Sequence, residues 1–275
     1  MAGSVLITGA GSGIGLATAR LLAARGYRVH GGVRKGEDAE RLRALGVEPL
    51  LLDVTREEDL LRAREALREK GLFGLVANAG VAVAGPLELV PPSAFRQALE
   101  VNLLGVHATV QAFLPLLRGG RGRVVLMGSV SGLLALPLMG PYAASKFALE
   151  ALADALRVEL KPFGVRVILI EPGSVATPIW ERSERAAEGY LLPPPSGTEE
   201  VYGRYLEVAR RMARRNARRG LPPERVAEAV LHALESPRPR ARYLVARRER
   251  AWQTLFLRLL PTPLRDQLLA RALGV

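Results

Sequence analysis

The chain has 275 residues, 49% hydrophobic and 24% charged, enough for one large α/β domain or two small ones with a full core. Its formal net charge of +12 is almost all arginine, spread along the chain with only 5% aromatic residues, a pattern that argues against a nucleic-acid partner. Zero cysteines exclude disulfides, thiolate catalysis and cysteine-based zinc sites, and the three histidines (His30, His107, His232) lack metal-ligand spacing, so no metal is expected.

The N-terminus enters a strand-like run at once, residues 5–8, with no basic leader or cleavage pattern, so a cytoplasmic location is expected. No run of about 18 uncharged apolar residues is read, so no integral membrane segment is expected. A helix over 13–25 follows the first strand. A second strand at 28–33 precedes a helix at 37–45, and a third at 49–53 precedes a charged helix at 56–70. Residues 74–78 form a fourth strand. A loop holding Pro86, Pro91 and Pro92 then leads into one long helix over 93–117. Strands at 123–128 and 165–171 flank a helix around Tyr142, and 242–245 is a seventh strand. This alternation predicts a single doubly wound parallel sheet of about seven strands with helices on both faces, whose ligands bind at the carboxyl edge where strand order reverses. Residues 177–198, with Pro193-Pro194-Pro195, read as irregular and precede an arginine-rich helix at 199–219. A substrate lid is expected over about 177–220.

Thr8-Gly9-Ala10-Gly11-Ser12-Gly13-Ile14-Gly15 follows the first strand and opens the first helix. Glycine permits a tight turn and close backbone approach to a pyrophosphate, and the helix start offers free N–H groups, so the turn reads as a nucleotide phosphate site. The second strand ends in Val33-Arg34-Lys35, where an NAD-selective site carries an acid for the ribose hydroxyls. Arg34, helped by Lys35, suits a 2′-phosphate instead, so NADP(H) is preferred, with NAD(H) as the alternative. Asp53 either accepts a hydrogen bond from an adenine amino group or caps the next helix, a role for which Thr55 competes.

Tyr142 and Lys146 stand four residues apart on a helix and therefore on one face. An ammonium beside a phenol lowers its pKa from about 10 and suits it to proton exchange with a carbonyl/alcohol pair. The bland alternative is a packed ring beside a solvated amine.

In their order and spacing, Thr8–Gly15, Asp53-Val54, Asn78-Ala79-Gly80, Asn102, Ser129, Tyr142 with Lys146, and Pro172-Gly173 with Thr177 resemble the short-chain dehydrogenase/reductase family. The wording from Gly128 to Glu150 looks most like its hydroxysteroid and retinol dehydrogenase branch. The resemblance implies a catalytic group of Asn102, Ser129, Tyr142 and Lys146 in one domain spanning 1–275. Tyr142 would pass a proton to the substrate oxygen, Ser129 would hydrogen-bond that oxygen, and Ser131 is the weaker competitor. Lys146 would lower the phenol's pKa and bind the nicotinamide ribose, and Asn102 would hold a water linking Lys146 to solvent. Its other reading is a buried amide satisfying local backbone. Asn78, Ala79 and Gly80 would close on the adenosine side, although Ala77 replaces the family's first Asn. Pro172, Gly173, Val175 and Thr177 would face the nicotinamide.

Leu133, Leu134, Leu138 and Met139, with Val81, Val83, Trp180, Tyr190, Leu191 and Leu192, either line a site for an apolar carbonyl/alcohol substrate or pack the core. Trp252, Leu255, Phe256, Leu259 and Leu260 form an apolar stripe in an extension over about 247–275, flanked by Arg247, Arg248, Arg250 and Arg258. That helix covers the domain's own flank, a subunit or, as a peripheral contact, an anionic membrane. By resemblance a homodimer or homotetramer is expected through the helices at 93–117 and 142–161. A catalytically silent NADP(H)-binding redox sensor is the alternative function; a sensor would be expected to lose Tyr142 or Lys146.

Overall fold

In the computed structural model, which describes residues 3–69, 71–120, 122–191 and 196–273, the chain forms one sheet of seven parallel strands. The elements are β1 (Ser4–Thr8), α1 (Gly13–Ala24), β2 (Arg28–Val33), α2 (Gly36–Arg43), β3 (Glu48–Leu51), α3 (Glu57–Leu67) and β4 (Gly74–Ala77). There follow α4 (Pro92–Leu99), a π turn (Glu100–Leu104), α5 (Gly105–Arg118), β5 (Arg123–Met127), a 3₁₀ turn (Val130–Gly132) and α6 (Gly140–Glu159). The chain continues through β6 (Arg166–Pro172), α7 (Ile179–Leu191), α8 (Glu199–Arg219), α9 (Pro223–Glu235), β7 (Arg242–Val245), α10 (Arg248–Leu259) and α11 (Thr262–Leu273). Strand order is β3-β2-β1-β4-β5-β6-β7. The order reverses between β1 and β4, so the crevice at the carboxyl ends of these strands is where a ligand fits.

Alternation along the buried strands sorts side chains into two cores. Val5 and Ile7 of β1, Val125 and Met127 of β5 and Ile168 and Ile170 of β6 face α1 and α9. Leu6, Val124, Leu126, Val167 and Leu169 face α3, α5 and α6, where Phe113, Leu117 and Leu149 are fully buried. Each such side chain contributes roughly 1.5–3 kcal/mol through removal from water, and both faces of the sheet are apolar because both are covered.

Several expectations need correction. The third strand ends at Leu51, so Asp53 stands beyond it rather than at its tip. The long helix over 93–117 is interrupted at Glu100–Leu104 by a π turn that contains Asn102. The run Pro92–Arg118 does pass as long and apolar enough to cross a bilayer by length and composition. Its apolar face, with Val106, Val110, Phe113 and Leu117, packs into the core instead. The stretch read as irregular holds the helix α7, and α9, which begins after Pro222-Pro223 and packs on α1, was not anticipated. Pro193-Pro194-Pro195 and Leu192 lie outside the described residues. α10 has no buried residue: Trp252, Phe256 and Leu259 stand exposed, which corrects the expectation that the stripe covers the domain's own flank.

Candidate active site

The glycine-rich turn is held from behind by β4. Thr8 Oγ1 accepts hydrogen bonds from the N–H groups of Asn78 and Ala79, both at 3.0 Å. Asn78 Nδ2 donates to the carbonyls of Thr8 (3.0 Å) and Gly9 (3.2 Å). Gly9 and Gly13 have φ of +65° and +54°, conformations that glycine adopts without cost. At Gly15 a Cβ would lie 2.2 Å from the Gly9 carbonyl oxygen, so the turn closes onto the helix only because that atom is missing. Ser12 starts α1 without capping it, and no acid lies in the first turn, which leaves the helix start open to an anion. The cradle fits a dinucleotide pyrophosphate.

Two residues missed in the sequence complete this edge. Arg41 Nη1 donates to the Gly11 carbonyl (2.8 Å) and pairs with Asp38 (3.0 Å), whose carboxyl lies against Gly11. Their spacing from Gly11 gave no signal, because only the packing of α2 brings them there. Arg34 is exposed at the end of β2, 3.8 Å from Asp53. Asp53 Oδ1 accepts from the N–H (3.0 Å) and Oγ1 (2.7 Å) of Thr55, an Asx turn rather than a helix cap. Burial alone would raise the Asp53 pKa, but the Thr55 hydrogen bonds, Arg34 and Arg56 outweigh it and hold it low. Val54 is buried and packs where Gly105 has no side chain.

Across the crevice, Gly13 would place a Cβ 3.0 Å from the Thr177 methyl, so the glycine-rich turn and the segment after β6 meet. Gly173 donates to Val245 (2.9 Å), and the Trp180 indole donates to the Val175 carbonyl (2.8 Å). These bonds fix the Pro172–Thr177 segment beside the site.

Tyr142 and Ser129 are brought together by the end of β5 and the start of α6. Both line the same cavity, Ser129 acts on the phenol as a hydrogen-bonding group that lowers its pKa, and Ser129 Oγ accepts from the Ser131 N–H (3.0 Å). Ser131 thus fixes Ser129 through its backbone. Lys146 is buried and donates to the Met127 carbonyl at 2.7 Å, with its nitrogen 5.7 Å from the Tyr142 ring centre. Burial brings the ammonium down to a pKa of about 8. Burial also raises the phenol, and the Ser129 hydrogen bond offsets this only in part. The expected lowering by Lys146 is therefore absent in this arrangement, where the ammonium is turned to Met127.

Asn102 is fully buried, turned inward by the π turn. Its Oδ1 accepts from the Val81 N–H, and its Nδ2 donates to the Val81 carbonyl and to Ser145 Oγ, each at 2.9 Å. Ser145 in turn donates to the Tyr142 carbonyl at 2.7 Å. Both Nδ2 hydrogens are engaged in a brace between the loop after β4 and the first turn of α6. Gly80 lies against this amide, where a Cβ would approach Oδ1 to 3.2 Å.

A cavity of about 150 Å³ opens beside Tyr142 and Ser129, walled by Leu136, Pro137, Leu138, Met139, Trp180 and Leu206. Leu138 has φ of +67°, a strained conformation for a residue with a Cβ. Leu133 and Leu134 are buried elsewhere, Val83 packs with Val90 and Ala98, and Tyr190 donates to the Ala84 carbonyl. α8 also brings Met212 and Ala213, and α7 brings Glu184 and Glu188.

The sequence model of the short chain dehydrogenase family matches residues 4–188. The chain belongs to that family. It is 40% identical over 257 residues to human 17-beta-hydroxysteroid dehydrogenase type 1, covering 89% of this chain and 77% of the relative. Among solved structures it resembles a short chain dehydrogenase/reductase from Burkholderia phymatum in complex with NAD, at 28% identity and TM-score 0.78, over 93% of this chain and 92% of that one. It also resembles a short chain dehydrogenase from Burkholderia cenocepacia in complex with NADP, at 27% identity and TM-score 0.73, over 100% and 98% of the two chains. The protein is thus an oxidoreductase of the short-chain dehydrogenase family, acting on CH–OH groups, and its structural neighbours bind NAD or NADP.

Proposed function

We propose that the enzyme interconverts an apolar ketone or aldehyde and its alcohol, using NADP(H) in preference to NAD(H) and Tyr142 as general acid/base. The observation that carries this is the Tyr142–Ser129 pair at the wall of a largely apolar cavity, with the Lys146 ammonium buried one helical turn away. When bound, the dinucleotide supplies or accepts the hydride.

Gly9, Gly11, Ser12, Gly13, Ile14 and Gly15 would hold its pyrophosphate, with Arg34 on a 2′-phosphate and Asp53 and Val54 beside the adenine. Pro172, Gly173, Val175 and Thr177 would hold the nicotinamide side. Ser129 Oγ orients the substrate oxygen. The raised pKa keeps Tyr142 protonated at neutral pH, the form that donates to a carbonyl oxygen in reduction. Lys146 turning from Met127 toward the phenol brings a positive charge that stabilises the phenolate. Asn102 acts through Ser145, fixing the helical turn that carries Tyr142.

The cavity is smaller than the 300–1,000 Å³ common for ligand sites, so a bulky substrate requires α7 and α8 to move outward. A panel of aliphatic, aromatic and polycyclic carbonyls, assayed with NADPH and NADH, tests the proposal. Turnover of the apolar members with NADPH favoured is expected; turnover confined to polar carbonyls would refute the substrate class.

A homo-oligomer and a cytoplasmic location belong to the same reading. Leu104 of the π turn and Phe147 and Val158 of α6 are exposed, and a second copy would cover them. Light scattering on the purified chain should give a dimer or tetramer. A second reading, peripheral contact of α10 with an anionic membrane, is favoured by exposed Trp252 and Phe256 beside Arg248 and Arg250. Flotation with anionic vesicles, lost on truncation at Arg247, is its test.

A further inference from the structure

Three elements converge on a charge cluster in which Glu150 and Glu171 are buried while Arg242 and Asp154 reach solvent. Arg242 of β7 reaches Glu150 of α6 through Nη1, the same nitrogen lies 3.3 Å from Glu171 of β6, and Nη2 donates to Asp154 at 2.6 Å. Glu171 and Glu150 have side chains only 4% and 13% exposed, so neither can lean on water for its charge. Among the described residues Glu150 Oε1 is buried with no hydrogen-bond partner, and the one nitrogen, Arg242 Nη1, that meets Glu150 Oε2 also meets Glu171 Oε1, so the two carboxyls are gathered at a single point. Two carboxylates cannot hydrogen-bond without a proton between them. One proton supplies the missing donor and cancels one of the three carboxylate charges gathered around a single guanidinium.

The cluster touches each segment that carries the reaction. Glu150 lies one helical turn beyond Lys146 on α6, and Glu171 directly precedes Pro172-Gly173. Gly132, which ends the turn after Ser129, lies against Glu150, where a Cβ would come within 3.1 Å of Oε1. Among the described residues the other charged groups facing the pair are Asp154, itself paired with Arg157 at 2.7 Å on α6, and Arg242 on β7; the segment from Ser129 to Gly132 contributes none.

We propose that Glu150 and Glu171 share one proton and, clamped by Arg242, act as a positioning pair that holds the Tyr142–Lys146 helix, the Ser129 turn and the Pro172-Gly173 segment in register, and that loosens when the proton is lost. The positioning half of this rests on the function proposed above. Burial, reinforced by Glu150 and opposed by Arg242, raises Glu171 to a pKa of about 7. Since this lies above its unfolded value of 4.5, the associated stability is complete below pH 4.5 and is lost as pH rises through about 7.

Glu171→Gln keeps a donor toward Glu150 and cannot ionise, and Glu150→Gln does the same from the other side, in case one of them folds poorly. Between pH 5 and pH 8, the wild-type melting midpoint should lose roughly 5 °C relative to that of Glu171→Gln. The wild type should show a protonated-carboxyl stretching band in its infrared spectrum at pH 6 that either variant abolishes. In kcat/KM, the wild type should lose activity on a limb near pH 7 that is absent from the variant. Melting curves that stay parallel across this range, or no such band, would overturn the shared proton whatever the substrate. A neutral limb that persists unchanged in both variants would overturn the positioning role alone.

Discussion

The Lys146 ammonium donates a hydrogen bond to the Met127 carbonyl at 2.7 Å, and not to Tyr142 four residues before it. The bond crosses from α6 to the last residue of β5 and holds a full positive charge under the sheet's carboxyl edge. Burial brings that charge to a pKa of about 8 from 10.5. A lysine with a folded pKa below its unfolded one contributes stability present above pH 10.5 and lost as pH falls through 8. At neutral pH the burial penalty is therefore on the order of 3 kcal/mol. The melting midpoint of Lys146→Met relative to wild type should accordingly decline as pH is raised from 8 to 10.5. A difference that stays constant over that range would show that the ammonium is not desolvated as described.

Arg34 and Arg41 lie on the same edge and should behave differently. Arg34 is exposed at the end of β2, so Arg34→Ala should raise the Michaelis constant for NADPH by ten-fold or more, roughly the loss of one charge-assisted contact, with little change for NADH. Arg41 is tied to the Gly11 carbonyl. Arg41→Ala should loosen the turn and weaken both cofactors alike. Steady-state kinetics with both dinucleotides separates the two outcomes.

Gly15→Ala is a steric test of the cradle. The added methyl would meet the Gly9 carbonyl oxygen at 2.2 Å and Asn78 Nδ2 at 2.6 Å. Overpacking of this kind costs roughly 1–3 kcal/mol, and dinucleotide binding should fall below detection by calorimetry or fluorescence. Gly26→Ala, where a Cβ meets nothing within 4 Å but φ is +78°, provides a control with strain and no steric conflict. It should lower the melting midpoint and leave cofactor affinity unchanged.

How much of this was legible in the sequence depended on how local each feature is. The glycine-rich turn and the Tyr142–Lys146 spacing were readable because their residues act within one or two turns of chain. β-Branched runs between amphipathic ones gave the sheet and its edge. Asn102 was found, but its π turn has no local signature, since it arises where the helix packs across Val81 and Ser145. The helix α7 was hidden between Pro178 and the Pro193 run. Arg41 with Gly11, and Glu171 with Glu150 and Arg242, are joined only by packing, across 30, 71 and 92 positions. The direction of the Tyr142 shift failed for a related reason: spacing places two side chains on one face but does not say that the amine turns to Met127.

The proton-transfer role of Tyr142 is tested most directly by Tyr142→Phe, measured for NADPH binding and for single-turnover hydride transfer to a carbonyl that the wild type reduces. The ring keeps its packing and only the phenol oxygen is removed. Dinucleotide affinity should stay within a few-fold of wild type, and the rate should fall by at least 10²–10⁴, the range for loss of a general acid. Hydride transfer at the wild-type rate would contradict the assignment of Tyr142.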